Sequence, residues 1–184
     1  MSDIYVPIDI TEARKVIPEG EDIFYSTLTK AYYVIRQAAA GRATTITFSS
    51  HVLFTERGFA YSYPKNDDEM LLFYRPLNQI YGVRGKRFRL KVGLGKKMSL
   101  MYIYGKEKFQ NYYFELKRDP SFESKEKFKE RSAEFENKLV PLIIKSKEEF
   151  LNSPESSQIG KKERKNLANS IVKMKKREEK KKQI

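Results

Sequence analysis

Apolar and polar residues alternate in short runs over the first two thirds of this chain, and the alternation predicts β-strands. Aromatic and β-branched residues recur with a period of two between groups of Gly, Asn, Asp and Pro, which is typical of strands joined by turns. No helix long enough for a parallel crossover intervenes, so antiparallel pairing is expected. The predicted strands are Ile23–Arg36, Thr44–Phe54, Phe59–Tyr63, Met70–Arg75, Gln79–Leu94, Met98–Tyr104 and Phe109–Leu116.

The pattern changes to a helical period after residue 118. Asp119 is a candidate N-cap before Pro120 at the first helical position. Pro141 is expected to kink or split the helix, which should end near Leu151. One buried face is predicted by the apolar stripe of Phe128, Phe135, Leu139, Leu142 and Ile143.

The last part of the chain is dominated by positive charge. Residues 161–182 contain 11 Lys or Arg and three Glu, within a chain of formal net charge +13. Leu167, Ile171 and Met174 would form a thin apolar seam along a helix. Two interpretations stay open, a basic helix that binds an anionic surface and a solvated, partly disordered tail. Under both interpretations, removing the residues after Ser153 should leave the melting temperature of the remaining protein unchanged.

These changes in composition divide the chain into four parts. Residues 1–20 are an N-terminal extension, and residues 21–152 are a β-domain with its capping helix. Residues 153–160, rich in Ser, are a linker, and residues 161–184 are the basic tail. The predicted fold class is mainly β, of the α+β type.

A second concentration of charge lies in residues 76–106, which contain no Asp or Glu. Arg87, Arg89 and Lys91 alternate with apolar residues, so a strand would place all three on one face. The alternative is that these cations form only the ordinary polar face of a half-buried strand. The candidate anion-binding residues here, called the basic strand patch, are Arg84, Lys86, Arg87, Arg89, Lys91, Lys96 and Lys97. Those of the tail are Lys161, Lys162, Arg164, Lys165, Lys173, Lys175, Lys176 and Arg177.

The inventory of reactive residues argues against catalysis. The chain has no Cys and a single His, His51, within a strand-like run that shows no signal for catalytic partners. No phosphate-binding glycine signature or acidic pair of metal-ligand spacing occurs. We expect a protein without enzymatic activity, metal or cofactor. No apolar run approaches the length of a membrane span, so a cytoplasmic protein, peripheral to a membrane, is expected.

Local motifs add a resemblance to a known family. Glu19-Gly-Glu-Asp-Ile-Phe-Tyr, Val52-Leu-Phe-Thr-Glu-Arg-Gly-Phe-Ala-Tyr and Arg75-Pro-Leu-Asn-Gln-Ile-Tyr-Gly-Val look like segments of GRAM-type and bacterial PH-type domains. With the order of elements, they resemble the pleckstrin-homology-like (PH-like) superfold. The resemblance implies a seven-stranded antiparallel sandwich or barrel capped by a C-terminal amphipathic helix, followed by a basic helical or disordered tail.

The resemblance also implies partners. PH-like domains bind phosphoinositide head groups, acidic phospholipid, ubiquitin or peptides. The usual basic cluster of the first hairpin is reduced here to Arg36 and Arg42, and the later position of the basic strand patch is closer to the GLUE-type variant of ESCRT-II. We therefore expect an adaptor that recognises anionic membrane lipid, with ubiquitin or an ESCRT-type subunit as a protein partner. A nucleic-acid-binding protein is the alternative, because the same charges suit its phosphates.

Overall fold

The computed structural model describes residues 12, 14–36, 43–64, 69–84, 99–103, 110–116, 118, 121 and 123–183. Two long helices follow the strands, α1 (Lys125–Asn152) and α2 (Lys161–Lys182). Short 3-10 helices occupy Leu77–Gln79 and Pro154–Gln158. The strands are β1 (Tyr25–Arg36), β2 (Ala43–Phe54), β3 (Gly58–Pro64), β4 (Met70–Pro76), β5 (Ile80–Arg84), β6 (Ser99–Ile103) and β7 (Gln110–Leu116).

The strands pair antiparallel in the order β4-β3-β2-β1-β7-β6-β5. β1 is central and pairs with β2 along its whole length, from Tyr25 opposite Phe54 to Arg36 opposite Ala43. Its other side pairs with β7. β1 to β4 thus form an antiparallel meander in which each strand lies beside the next.

The predicted fold class, a PH-like sandwich or barrel capped by one helix, is wrong. The packed body is the four-stranded meander β1–β4 together with two helices, and these elements carry most of the buried side chains among the described residues. β4 and β5 stand at opposite ends of the strand order and do not pair within the described ranges, so the sheet is open. The physical reason for the error is that alternation is a local property, which does not report whether a sheet closes or how many helices cover it.

The core joins one face of the meander to α1. Phe54 and Phe59 lie fully buried on neighbouring strands, and Phe135 of α1 packs on them, with 5.0 Å between the ring centroids of Phe54 and Phe135. The ring of Tyr25 stacks on Phe135 at 4.3 Å. Such aromatic contacts add to the free energy of burial because ring edges and faces carry opposite partial charges.

The turn between β2 and β3 is closed by a hydroxyl group. Thr55 Oγ1 accepts a hydrogen bond from the backbone N–H of Gly58 at 2.9 Å. The hydroxyl groups of Thr55 and Tyr74 both donate to Glu21 Oε2, at 2.5 and 2.6 Å. Burial, followed by the bond to Glu21, raises the pKa of Tyr74 to about 12. The chain before β1 is thereby fastened to the turn between β2 and β3 and to β4.

Gly58 is required by a close contact and not by its backbone conformation. Among the described residues, positive φ occurs at Gly20. At Gly58 a Cβ atom would lie 2.3 Å from the ring of Tyr74 and 2.6 Å from the carbonyl oxygen of Arg75. The position therefore needs glycine because β4 passes too close for any side chain.

Helix α1 begins at Lys125, so the predicted start at Asp119 and Pro120, which lie outside the described residues, is wrong. Ser124 is the N-cap, and its side chain accepts from the backbone N–H of Lys127 at 3.1 Å. The helix is continuous through Pro141 and ends at Asn152. The predicted apolar stripe is confirmed: Phe135, Leu139 and Ile143 are buried, and Phe128 and Leu142 pack against the core.

The N-terminal part of α1 is tied to β1 through Arg131, which lies in the second turn of the helix. Its guanidinium group makes two hydrogen bonds to the carboxylate of Glu123, at 2.7 and 3.0 Å, and a third to the hydroxyl of Tyr25 at 2.8 Å. The bond from Arg131 lowers the pKa of Glu123. A paired, half-buried guanidinium of this kind sets the direction in which α1 leaves the sheet.

The basic segment is part of the packed body. Ile171 and Met174 of α2 are buried, and Met174 belongs to the same cluster as the α1 core residues. The expected tail, separate from the fold, is therefore wrong as a description of this segment, because part of its thin apolar seam packs into the core that α1 forms. The linker at residues 153–160 stays a prediction, and so does the N-terminal extension at residues 1–20. Within that extension, Ile17 packs on Leu53 and Ala60.

Within the described residues, neither helix has an apolar stretch that is long enough to cross a lipid bilayer.

Candidate anion-binding surface

The basic strand patch falls largely outside the described part of the chain. Arg84 is the last residue of β5. The expected strand over Gln79–Leu94 is described as β5, Ile80–Arg84, so the predicted alternation around Arg87 is not placed. The members that lie outside the described residues are Lys86, Arg87, Arg89, Lys91, Lys96 and Lys97.

All eight predicted tail contacts lie on α2, and the helix sorts them into two groups. The first group, called the inner cations, is Arg164, Lys175 and Arg177 with Lys181, which the sequence interpretation omitted. Each of these side chains contacts another part of the same chain.

Three of the inner cations fasten α2 to α1, whereas Arg164 donates to the backbone oxygen of Ser156 in the short helix between them. The carboxylate of Glu136 on α1 is almost fully buried, and its Oε1 lies 3.0 Å from Arg177 Nη2 and 2.8 Å from Lys181 Nζ. A second pair joins Lys175 to Glu148 at 2.5 Å. A buried carboxylate is tolerated when it is paired, so these cations stabilise the fold and are already paired within it.

The second group faces solvent and is called the outer lysine stripe. Its members are Lys161, Lys162, Lys165, Lys173, Lys176 and Lys180. At 3.6 residues per turn they lie on the side of α2 opposite the buried Ser170, Ile171 and Met174. They are all exposed, and no ion pair of theirs occurs among the described residues.

The stripe is long and contains one apolar side chain. From Lys161 to Lys180 it extends about 28 Å at 1.5 Å per residue. Val172 lies in it with 51% of its surface exposed. Glu179 is the exposed acid on the same side. The result is a straight, strongly positive face with little internal compensation.

Sequence reasoning missed Lys180 and Lys181, although a signal was present. Lys173, Lys176 and Lys180 follow the spacing i, i+3 and i+7, which places them on one helical face. Counting charges along the segment treats all cations alike, whereas the helical period separates those opposite the apolar seam from those beside it. Applying that period to the whole segment would have identified the stripe.

The described residues offer no arrangement for metal binding, since no group of three or more His, Cys, Asp or Glu side chains comes together. His51 lies in β2, partly buried, and burial lowers its pKa, so the imidazole is neutral near pH 7. That it takes no part in catalysis stays a prediction.

Comparisons with known proteins add little. No known protein family matches this chain, and neither does any curated protein. Among solved structures, the hSac2 domain from human phosphoinositide phosphatase Sac2 is similar at 16% sequence identity and a TM-score of 0.43. The alignment covers 72% of this chain and 77% of that chain. A TM-score below 0.5 carries no argument about fold, residues or activity.

Proposed function

We propose that this protein is a non-catalytic binding module that docks on an anionic membrane surface through the outer lysine stripe. The observation that supports the proposal is the division of charge on α2. The inner cations satisfy Glu136 and Glu148, while six lysines on the opposite face gather without acidic partners among the described residues. Like charges on one face repel each other, and an anionic partner removes that cost.

The magnitude of the expected attraction is sufficient for reversible binding. A lysine at the surface of an anionic leaflet contributes about 1 kcal/mol. Six such residues together contribute about 6 kcal/mol, and the exposed Val172 can add a little through contact with the interface. Because exposed charges are screened over about 8 Å at physiological ionic strength, the affinity should fall steeply with salt.

The proposal includes the place where the protein acts. A module of this kind is peripheral and cytoplasmic, because the cytoplasmic leaflet carries the negative lipids. The basic strand patch is included as a second contact, and two contacts on one chain bind more tightly than either alone. Ubiquitin or an ESCRT-type subunit as a protein partner stays a prediction.

Neutralising three lysines of the stripe is expected to abolish most of the membrane binding. The variant is Lys165→Gln, Lys173→Gln and Lys176→Gln. It should reduce the partition coefficient for vesicles that contain phosphatidylserine by about a hundredfold, since about 3 kcal/mol of attraction is lost. The measurement is co-sedimentation with vesicles at fixed ionic strength, and neutral phosphatidylcholine vesicles should bind neither protein.

The matched control changes the same charge elsewhere. Lys125→Gln, Lys127→Gln and Lys129→Gln removes three exposed lysines from the first turns of α1. This control should keep most of the binding. Equal losses in both triple variants would show that net charge matters and the stripe does not. A shift assay with RNA and duplex DNA at the same salt concentration tests the alternative, and tighter binding there than to vesicles would replace the membrane as the partner.

The basic strand patch has its own test. Changing Arg87, Arg89 and Lys91 together to Ser should leave the melting temperature nearly unchanged, because the sequence predicts them on the outer face of a strand, where charges contribute little to stability. Binding to phosphatidylserine vesicles should weaken by about tenfold or more. Unchanged binding would remove this patch from the mechanism and leave the outer lysine stripe as the proposed contact.

A further inference from the structure

A cavity lies where the end of α1, the start of α2 and the turn before β5 meet. Its volume is about 470 Å³, which is within the range of small-molecule sites, roughly 300 to 1,000 Å³. Its walls are apolar over a large part, and they are formed by Pro76, Phe150, Ile159 and Leu167. This cavity is on the side of α2 away from the outer lysine stripe.

The inner wall of the cavity carries a lysine. Lys147 of α1 lines it although only 1% of this residue is exposed. Its Nζ atom donates to Ser170 Oγ at 2.8 Å. The hydroxyl of Ser170 in turn donates to the carbonyl of Leu167 at 2.7 Å. Ser170 therefore presents an oxygen lone pair to the lysine nitrogen and holds it against the wall.

The surroundings change the chemistry of this amine. Burial lowers the pKa of Lys147 to about 8. At pH 7 the amine of Lys147 is then neutral in about a tenth of the molecules, a far larger fraction than for a lysine in water. A neutral amine in an apolar pocket is a nucleophile, and carbonyl carbon is its usual target.

Two acidic residues also line the cavity. They are Glu155 and Glu163, and both are exposed. Two carboxylates repel a negatively charged ligand, whereas the apolar walls favour an uncharged one. A neutral, apolar molecule that carries a carbonyl group is complementary to both the walls and the amine.

We propose that this cavity binds small apolar aldehydes and that Lys147 captures them as an imine. The nitrogen lone pair forms a bond to the carbonyl carbon, the carbonyl oxygen leaves as water with the two amine protons, and a C=N bond remains. Neither an oxidant nor a reductant is consumed. When the imine takes up a proton from water, its N–H can donate to Ser170 Oγ as the ammonium did. This capture is a second activity, separate from the proposed membrane binding.

The test uses the full chain with benzaldehyde as the probe. The imine is reduced with cyanoborohydride after short reaction times, and the benzylated lysines are located by peptide mass spectrometry. Lys147 should be labelled at least about ten times faster than Lys145, an exposed lysine on the same helix. Its labelling should saturate with benzaldehyde concentration, and benzyl alcohol, which lacks the carbonyl group, should compete.

Two variants separate binding from reactivity. Lys147→Arg keeps the positive charge but forms no imine, so benzylation at this position should vanish while the other lysines react as before. Leu167→Trp should narrow the cavity and slow the labelling of Lys147 by about threefold or more. The proposal is overturned if Lys147 reacts no faster than Lys145, or if its labelling neither saturates nor responds to benzyl alcohol. Because these comparisons can be made within the unaltered protein, they hold even if a variant fails to fold.

Discussion

Ending the chain after Ser153 is expected to lower the melting temperature by about 10 °C. The truncation removes Ile171 and Met174, whose burial contributes about 1.5 to 3 kcal/mol each. It also removes the cations that pair with Glu136. Part of the loss is offset, since the residues of α2 no longer have to be ordered. A net loss of about 3 kcal/mol corresponds to that shift for a protein of this size.

Thermal unfolding followed by circular dichroism measures the effect. The full-length triple variant Lys165→Gln, Lys173→Gln and Lys176→Gln is the control, because it removes charge from the outer face and leaves the inner contacts intact. It should melt within about 2 °C of the unaltered protein. A truncated chain that melts at the original temperature would show that α2 is only loosely attached, as the composition of the segment alone had indicated.

Gly58→Ala is expected to destabilise the protein by at least about 3 kcal/mol, which is large for the addition of a single methyl group. The new Cβ atom would meet the ring of Tyr74 at 2.3 Å and the carbonyl oxygen of Arg75 at 2.6 Å. Tyr74 cannot turn away without losing its hydrogen bond to Glu21. The carbonyl belongs to β4, so relief of the second contact requires that two paired strands move apart.

Urea unfolding of the variant gives this free energy, and Gly160→Ala is the matched control. Gly160 precedes α2 with φ near −64°, and a Cβ atom there meets nothing within 4 Å. Its replacement should change the stability by no more than about 1 kcal/mol. If Gly58→Ala lowers the free energy of unfolding no more than Gly160→Ala does, β3 and β4 are farther apart than in this structure. The hydrogen bond from Tyr74 to Glu21 then does not hold the turn.

The charge on α2 has two separable roles. Lys175, Arg177 and Lys181 stabilise the contact between the helices, and we propose that the outer lysine stripe binds an anionic membrane. Variants of the outer lysines should therefore change binding and leave stability alone, whereas loss of the inner contacts should do the reverse. This separation allows the membrane proposal to be tested without the ambiguity that follows when a protein unfolds.

The sequence by itself determined the local elements of this protein. Alternation with a period of two located strands such as β1 and β4 to within two residues at each end, because neighbouring side chains of a strand face opposite sides regardless of context. The apolar stripe of α1 was equally readable, since its positions repeat with the helical period. The high charge of the last segment was visible from composition alone.

The tertiary structure alone decided how these elements combine. The predicted barrel with one cap was wrong because alternation does not report sheet closure, and because a seam as thin as Ile171 and Met174 becomes a packing surface only when a partner helix is present. The pairing of the cations on α2 was likewise decided by the tertiary structure. Arg177 and Lys176 are neighbours of like charge in the sequence, yet one pairs with a buried Glu136 and the other faces solvent. What separates them is the surface against which the helix lies, and that surface comes from residues far away in the chain.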